Sequence, residues 1–139
     1  MIILEHSALT QYLKKYDDIY PGIELWWERK VVPDVVSGIK KIFRFDRNFD
    51  VNGLGVVDII QGKLCHLSLE HAVKGSGLGL AIMNLAKREI KNNNHNELWC
   101  HGPERMVNDF MNWSGATPVK SIGNFGRTGE NDLVMRIEL

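Results

Sequence analysis

Lys74-Gly75-Ser76-Gly77-Leu78-Gly79 places one basic side chain and three glycines within six positions. The stretch follows the apolar run Leu64 to Leu69 and opens into Leu80-Ala81-Ile82-Met83-Asn84-Leu85-Ala86-Lys87, which keeps helical spacing. A glycine turn between a strand and a helix lets main-chain N–H groups close on an anion. The helix start adds about +0.5 charge from its macrodipole. Side chains at 75, 77 and 79 would obstruct that approach. The chemistry expected is a diphosphate cradle, with Lys74 at its mouth.

Few residues are suited to moving a proton near this loop. His101 ends the apolar run Leu98-Trp99-Cys100, and imidazole is the side chain whose charge ordinarily changes near neutral pH. Its plainer reading is a loop histidine bonded to the backbone. Glu70 closes the strand before the glycine loop, either as a base or as a solvated strand-end carboxylate. His66 has the opposite strand parity from Leu67 and reads as a satisfied, half-buried histidine. Cys65 faces a substrate or simply packs. Glu104 begins a helix, where a carboxylate favours the dipole. Trp26 and Trp27 are adjacent on a helix, so one is expected in the core and the other on a groove or subunit contact. Met106, Met111 and Trp113 read as core, and Lys40-Lys41 as a solvated strand edge.

The bulk properties narrow the setting. A chain of 139 residues fits one domain, 1–139, around one core. Seventeen basic and seventeen acidic side chains cancel, which gives no support to general nucleic-acid binding. No apolar run approaches the roughly 20 residues of a membrane span, and the start Met1-Ile2-Ile3-Leu4-Glu5 lacks a signal-peptide pattern. Cys65 and Cys100 have no metal-ligand spacing and suit buried thiols in a reducing cytoplasm, so no metal is expected.

The elements that must position these residues follow from periodicity and punctuation. Met1 to Leu4 reads as a first strand. Ser7 caps a helix carrying Leu9, Leu13 and Tyr16 on one face. Ile23 to Val32 reads as a second helix, ended by Pro33 and Gly38. Ile39 to Phe45 is a strand. Asn52-Gly53 marks a turn, and Leu54–Ile60 with residues 63–71 forms an antiparallel hairpin around Gln61-Gly62. A helix from the glycine loop runs to about Lys91. Leu98 to Cys100 is a buried strand, and Pro103 stands in the first turn of a further helix that ends at Gly115. Val119 to Phe125 and Leu133 to Leu139 close the chain as an antiparallel pair. The class is α/β (α+β): a mostly antiparallel central sheet of six or seven strands flanked by about four helices.

This order of elements, with Lys74-Gly75-Ser76-Gly77-Leu78-Gly79 at its centre, resembles the GNAT superfamily of acyl-CoA-dependent N-acetyltransferases over nearly the whole chain. The family signature is Arg/Gln-x-x-Gly-x-Gly/Ala; Lys74 keeps its positive charge without the guanidinium fork. The resemblance implies that acetyl-CoA is the cosubstrate. Its pyrophosphate would lie on the amides of Gly75, Ser76, Gly77, Leu78, Gly79 and Leu80, and its pantetheine arm along Leu67 to Leu69. An N–H near Leu69 would be the oxyanion donor. Phe110-Met111-Asn112-Trp113-Ser114-Gly115-Ala116 matches the spacing of the family's Phe/Leu-Tyr-x-x-x-Gly-Phe, with Met111 in place of the Tyr that protonates the thiolate. Glu104 replaces an Asn, and His71 stands where the family often has Pro.

The implied function is direct acetyl transfer from acetyl-CoA to an amine, small molecule or protein, with His101 or Glu70 as base. The alternatives are another acceptor, such as a nucleobase or aminoacyl group, and a binding protein that keeps only the fold. The intact glycine loop argues against the last. A homodimer through the last strands is the implied assembly, with neither membrane nor nucleic acid as partner. A Rossmann reading, with Glu97 as the ribose-binding acid, is opposed by the hairpin before the loop. A Walker loop would need Gly-Lys-Ser/Thr, which is absent.

Overall fold

The computed structural model describes residues 6–17, 20–70, 73–123 and 131–139. The Met1–Leu4 strand, His71 and the end of the strand at Phe125 lie outside them. The elements are α1 (His6–Lys14), α2 (Ile23–Trp26), α3 (Val32–Val36), β1 (Lys40–Arg47), β2 (Asp50–Asp58), β3 (Lys63–Leu69), α4 (Leu78–Asn92), β4 (Glu97–Pro103), α5 (Glu104–Ser114), β5 (Thr117–Ile122) and β6 (Asp132–Glu138). The six strands form one sheet in the order β1-β2-β3-β4-β6-β5. Every pairing is antiparallel except β3 with β4. Helices α4 and α5 cover one face with Val57, Leu64, Met83, Ile90, Leu98 and Met135 beneath them. Helices α1 to α3 cover the other over Tyr12, Trp27, Val51, Leu54 and Val56. Among the described residues, no helix is long and apolar enough to cross a membrane.

Pro33 does not end the second helix. Trp27–Val31 forms a π-turn, with the Val32 N–H reaching back to the Trp27 carbonyl, and α3 continues to Val36. Proline has no N–H and crowds the carbonyl four residues earlier; a wider turn relieves both. Gly38 then stops the segment in the left-handed region at φ 79°.

Asn52-Gly53 is not a turn. The β1–β2 hairpin turns at Asn48-Phe49, both at positive φ, and β2 runs through Gly53 and Gly55. These glycines serve packing instead. A Cβ on Gly55 would fall 2.5 Å from Ile82 Cγ2, and one on Gly53 would fall 2.9 Å from Leu78 Cδ2. Their bare backbone lets α4 lie close on the sheet. Lys40 is likewise no solvated edge: its ammonium is mostly covered and lies 2.7 Å from Asp34 Oδ2. Pro103 ends β4 and stands at the N-cap of α5, one position before the helix proper.

Candidate active site

The sheet opens between β3 and β4. These strands share one ladder position, Lys63 opposite Trp99, and the Trp99 N–H donates to the Gly62 carbonyl at 2.9 Å. Pairing does not continue toward Leu69 and Pro103. On the other side of β3, the Glu70 N–H donates to Asn52 C=O at 2.8 Å. By the two-residue alternation of an antiparallel ladder, Glu70, Ser68 and His66 turn their main-chain groups to β2. Leu67 and Leu69 therefore turn theirs to the gap. The Leu69 carbonyl there accepts the Tyr16 hydroxyl at 2.7 Å.

The glycine loop lies at the exit of β3. Gly75 and Gly77 adopt φ 81° and 88°, in the left-handed region, and added Cβ atoms there would touch nothing within 4 Å. Gly77 is the N-cap of α4, and no side-chain hydrogen bond caps this end. The first main-chain bond of the helix is Ala81 N–H to Gly77 C=O at 3.0 Å. The amides of Leu78, Gly79 and Leu80 come before it and have no carbonyl one turn back to accept them. Lys74 through Gly77 are exposed, and Ser76 folds its hydroxyl onto the Val73 carbonyl. Gly79 has a different reason to be glycine. Its Cβ would meet Leu69 Cδ1 at 3.1 Å and the Trp113 ring at 3.5 Å, so it seats α4 against β3 and α5.

A cleft of about 810 Å³ fills the split and is lined from both sides, a size ordinary for a ligand site. From β4 comes His101, whose Nδ1 lies 2.9 Å from Asp132 Oδ2 on β6. A carboxylate only accepts, so Nδ1 carries a hydrogen, and in the neutral ring the lone pair is on Nε2. From β3 comes His66, 8 % exposed, with Nε2 2.7 Å from Ser68 Oγ. Ser68 Oγ is in turn 2.7 Å from the Tyr12 hydroxyl. Burial lowers the His66 pKa to about 4, so the ring is neutral at pH 7. A bulge between Val56 and Val57 leaves Cys65 as the extra residue of β3 and puts Cys65 and His66 on the same side. The rings of Tyr16, Tyr20 and Trp26 stand 6.1–6.4 Å from the imidazole.

Burial raises both thiols on the cleft lining, Cys65 and Cys100, the latter to about 12. Both are free thiols. Among the described residues, no group of three or more His, Cys, Asp and Glu could hold a metal.

His101 and Leu67 thus line one cleft; Leu69 and the loop 74–80 are not on its lining and follow Leu67 at the exit of β3. Glu70 is not on the cleft lining; its carboxylate takes the Lys15 ammonium. Glu104 accepts the Ser121 hydroxyl at 2.6 Å. Trp27 is buried while Trp26 lines the cleft. Met111 packs against the α4–α5 core, whereas Met106 is partly exposed on the cleft. Sequence reasoning missed Asp132, Ser68 and the Tyr12–Tyr16 pair. Asp132 comes 31 residues after its histidine and meets it only through the β4–β6 ladder, so no local spacing signals it. The alternation of His66 and Ser68 on one strand face was the available signal for the second cluster.

No protein-family model and no curated protein matches the chain. Solved structures do. A GNAT-family protein from Desulfovibrio desulfuricans superposes with TM-score 0.70 at 15% identity, over 99% of this chain and 95% of its own. An aminoglycoside 6'-N-acetyltransferase complexed with coenzyme A gives TM-score 0.69 at 11% identity, over 99% and 94%. The ribosomal-protein-S18-alanine N-acetyltransferase from Escherichia coli gives 0.69 at 13% identity, over 97% and 90%. At these identities the likeness is one of architecture: the chain has the fold of the GNAT acetyltransferases.

Proposed function

We propose that this GNAT-fold chain transfers an acetyl group from acetyl-CoA to a primary amine by direct attack. The observation that carries the reading is the conjunction of two features at one end of β3. The strand's outer main-chain edge has no strand partner at Leu67 and Leu69, where the Leu69 carbonyl instead takes the Tyr16 hydroxyl, and an uncapped helix start follows it across the Lys74–Gly79 loop. The edge suits the amide-bearing arm of the coenzyme, and the helix start suits its pyrophosphate. Lys74 supplies a point charge at the mouth of the loop.

The chemistry needs a neutral amine. A lysine-like amine is unprotonated in roughly one molecule in 2,500 at pH 7, and a placed base contributes about 10²–10⁴-fold. His101 takes this role, held in the Nε2-basic tautomer by Asp132. Nitrogen bonds to the acetyl carbon, a main-chain N–H at the open β3 edge receives the developing oxyanion, and the C–S bond breaks. The amine proton passes to His101. Met111 offers no hydroxyl to the departing thiolate, which takes its proton from solvent in the open cleft. Cys65 is a protonated thiol, which opposes a covalent acetyl-cysteine route.

Titration calorimetry with acetyl-CoA tests the reading. Saturable one-to-one binding is expected, and Gly77→Val, whose Cβ has no protein atom within 4 Å but which strains the backbone at φ 88°, should weaken it strongly. Absence of heat at millimolar coenzyme, or unchanged affinity in Gly77→Val, would remove the proposal.

A further inference from the structure

The cleft also constrains the acceptor. Three carboxylates line it, and each is engaged. Asp34 Oδ2 lies 2.7 Å from Lys40 Nζ. Asp58 Oδ1 accepts the N–H groups of Ile60 at 2.9 Å and Gln61 at 2.8 Å. Asp132 holds His101. Lys30 and Lys63 line the same cleft and have no ion-pair partner among the described residues. A polycation entering here would meet two ammonium groups without counter-ions, whereas Asp58, bonded only to neutral N–H groups, is 4 % exposed and offers it little contact.

Beside these charges the lining is apolar and aromatic. Trp26 and Tyr20 face the cleft with the neutral ring of His66 between them, 6.1 Å from each. Ile23 and Met106 also line the cleft. Such a wall buries a flat apolar body, and offset or edge-on ring contacts contribute about 0.5–1.5 kcal/mol each beyond area burial.

We infer that the acceptor is a monoamine on an aromatic or comparably apolar body, bound with that body against Trp26 and Tyr20 and its nitrogen toward His101. Aminoglycosides, polyamines and lysine-rich tails are disfavoured by the same charge arrangement. The inference rests on the acetyltransferase reading and adds the substrate class.

The test compares 2-phenylethylamine with spermidine and kanamycin as acceptors at fixed acetyl-CoA, following free thiol. The expected kcat/KM for 2-phenylethylamine exceeds both others by at least about tenfold, the factor that 1.4 kcal/mol represents. Trp26→Ala should lose most of that preference through KM, with kcat little changed. Trp26→Phe should retain it. Equal or better use of spermidine or kanamycin, or a Trp26→Ala variant with unaltered KM, overturns the inference. Acetyl-CoA binding is measured on the same preparations. Coenzyme binding without acetylation of 2-phenylethylamine defeats the acceptor assignment alone, whereas loss of coenzyme binding defeats both readings.

Discussion

His101 and Asp132 are joined across the β4–β6 ladder, Nδ1 to Oδ2 at 2.9 Å, although their direct ladder partners are Val134 and Pro103. The contact is therefore diagonal. It couples a strand entering the cleft to its neighbour in the sheet, and it sets which imidazole nitrogen is basic. In the proposed reaction Asp132 acts through His101, as a positioning residue.

Asp132→Asn preserves the size of the side chain but also accommodates the opposite tautomer. Its kcat should fall by about tenfold or more, part of the 10²–10⁴ that a placed base supplies, with acetyl-CoA affinity unchanged. His101→Ala should lower kcat at least as much and flatten the acid limb of the pH–rate profile. The double variant should be no worse than His101→Ala, because the two act as a unit. Additive losses, or a profile unchanged in His101→Ala, would assign the base elsewhere.

His66 makes stability depend on pH. Its pKa is about 4 in the folded protein, against 6.5 for an ordinary histidine. The unfolded chain binds the proton more readily, so the contribution is complete above pH 6.5 and declines as pH falls toward 4. Over that window the loss is about 3 kcal/mol at 1.36 kcal/mol per pH unit. Urea unfolding at pH 7 and pH 4.5 should show this loss in the native chain and a smaller one in His66→Gln. The His66 ring proton should not titrate in NMR spectra between pH 7 and 5. A ring that titrates near 6.5 would contradict the buried, neutral assignment.

Gly55 lies against Ile82 with no room for a methyl group. Gly55→Ala should destabilise the chain by about 1–3 kcal/mol through overpacking. Combined with Ile82→Ala, which removes the opposing Cγ2, the total should be clearly less than the sum of the single losses. Chemical denaturation measures all three variants. Strict additivity would mean the α4–β2 contact is looser than described.

Cys65→Ala should leave kcat essentially unchanged, and initial-rate patterns should show both substrates bound before any product leaves. Parallel, ping-pong lines that vanish in this variant would indicate an acetyl-cysteine intermediate instead of direct transfer.

Much of this architecture was legible because local signals and packing agree. The α4 stripe, the 54–69 hairpin and the glycine loop each combine periodicity with turn residues. The misread positions are those where tertiary contact overrides a local rule. Gly53 looks like a turn residue beside Asn52, yet it serves the approach of α4. Pro33 looks like a stop, yet the π-turn over Trp27–Val31 carries the helix past it. Gly79, by contrast, keeps its amide in the loop while its lack of a side chain admits Leu69 and Trp113. At the site, the loop and the Leu67–Leu69 edge could be marked from sequence because each lies in one continuous segment. The Asp132 partner and the aromatic wall about His66 could not, because strand register and helix docking bring them together.

The central claim is that main-chain amides at the β3 exit hold a coenzyme. Two-dimensional amide NMR during a coenzyme A titration tests it most directly. The account predicts that the largest shifts fall on Gly75 through Leu80 and on Leu67 and Leu69, with far smaller ones on β5. Saturation with those amides unmoved, or shifts centred elsewhere on the sheet, would contradict it.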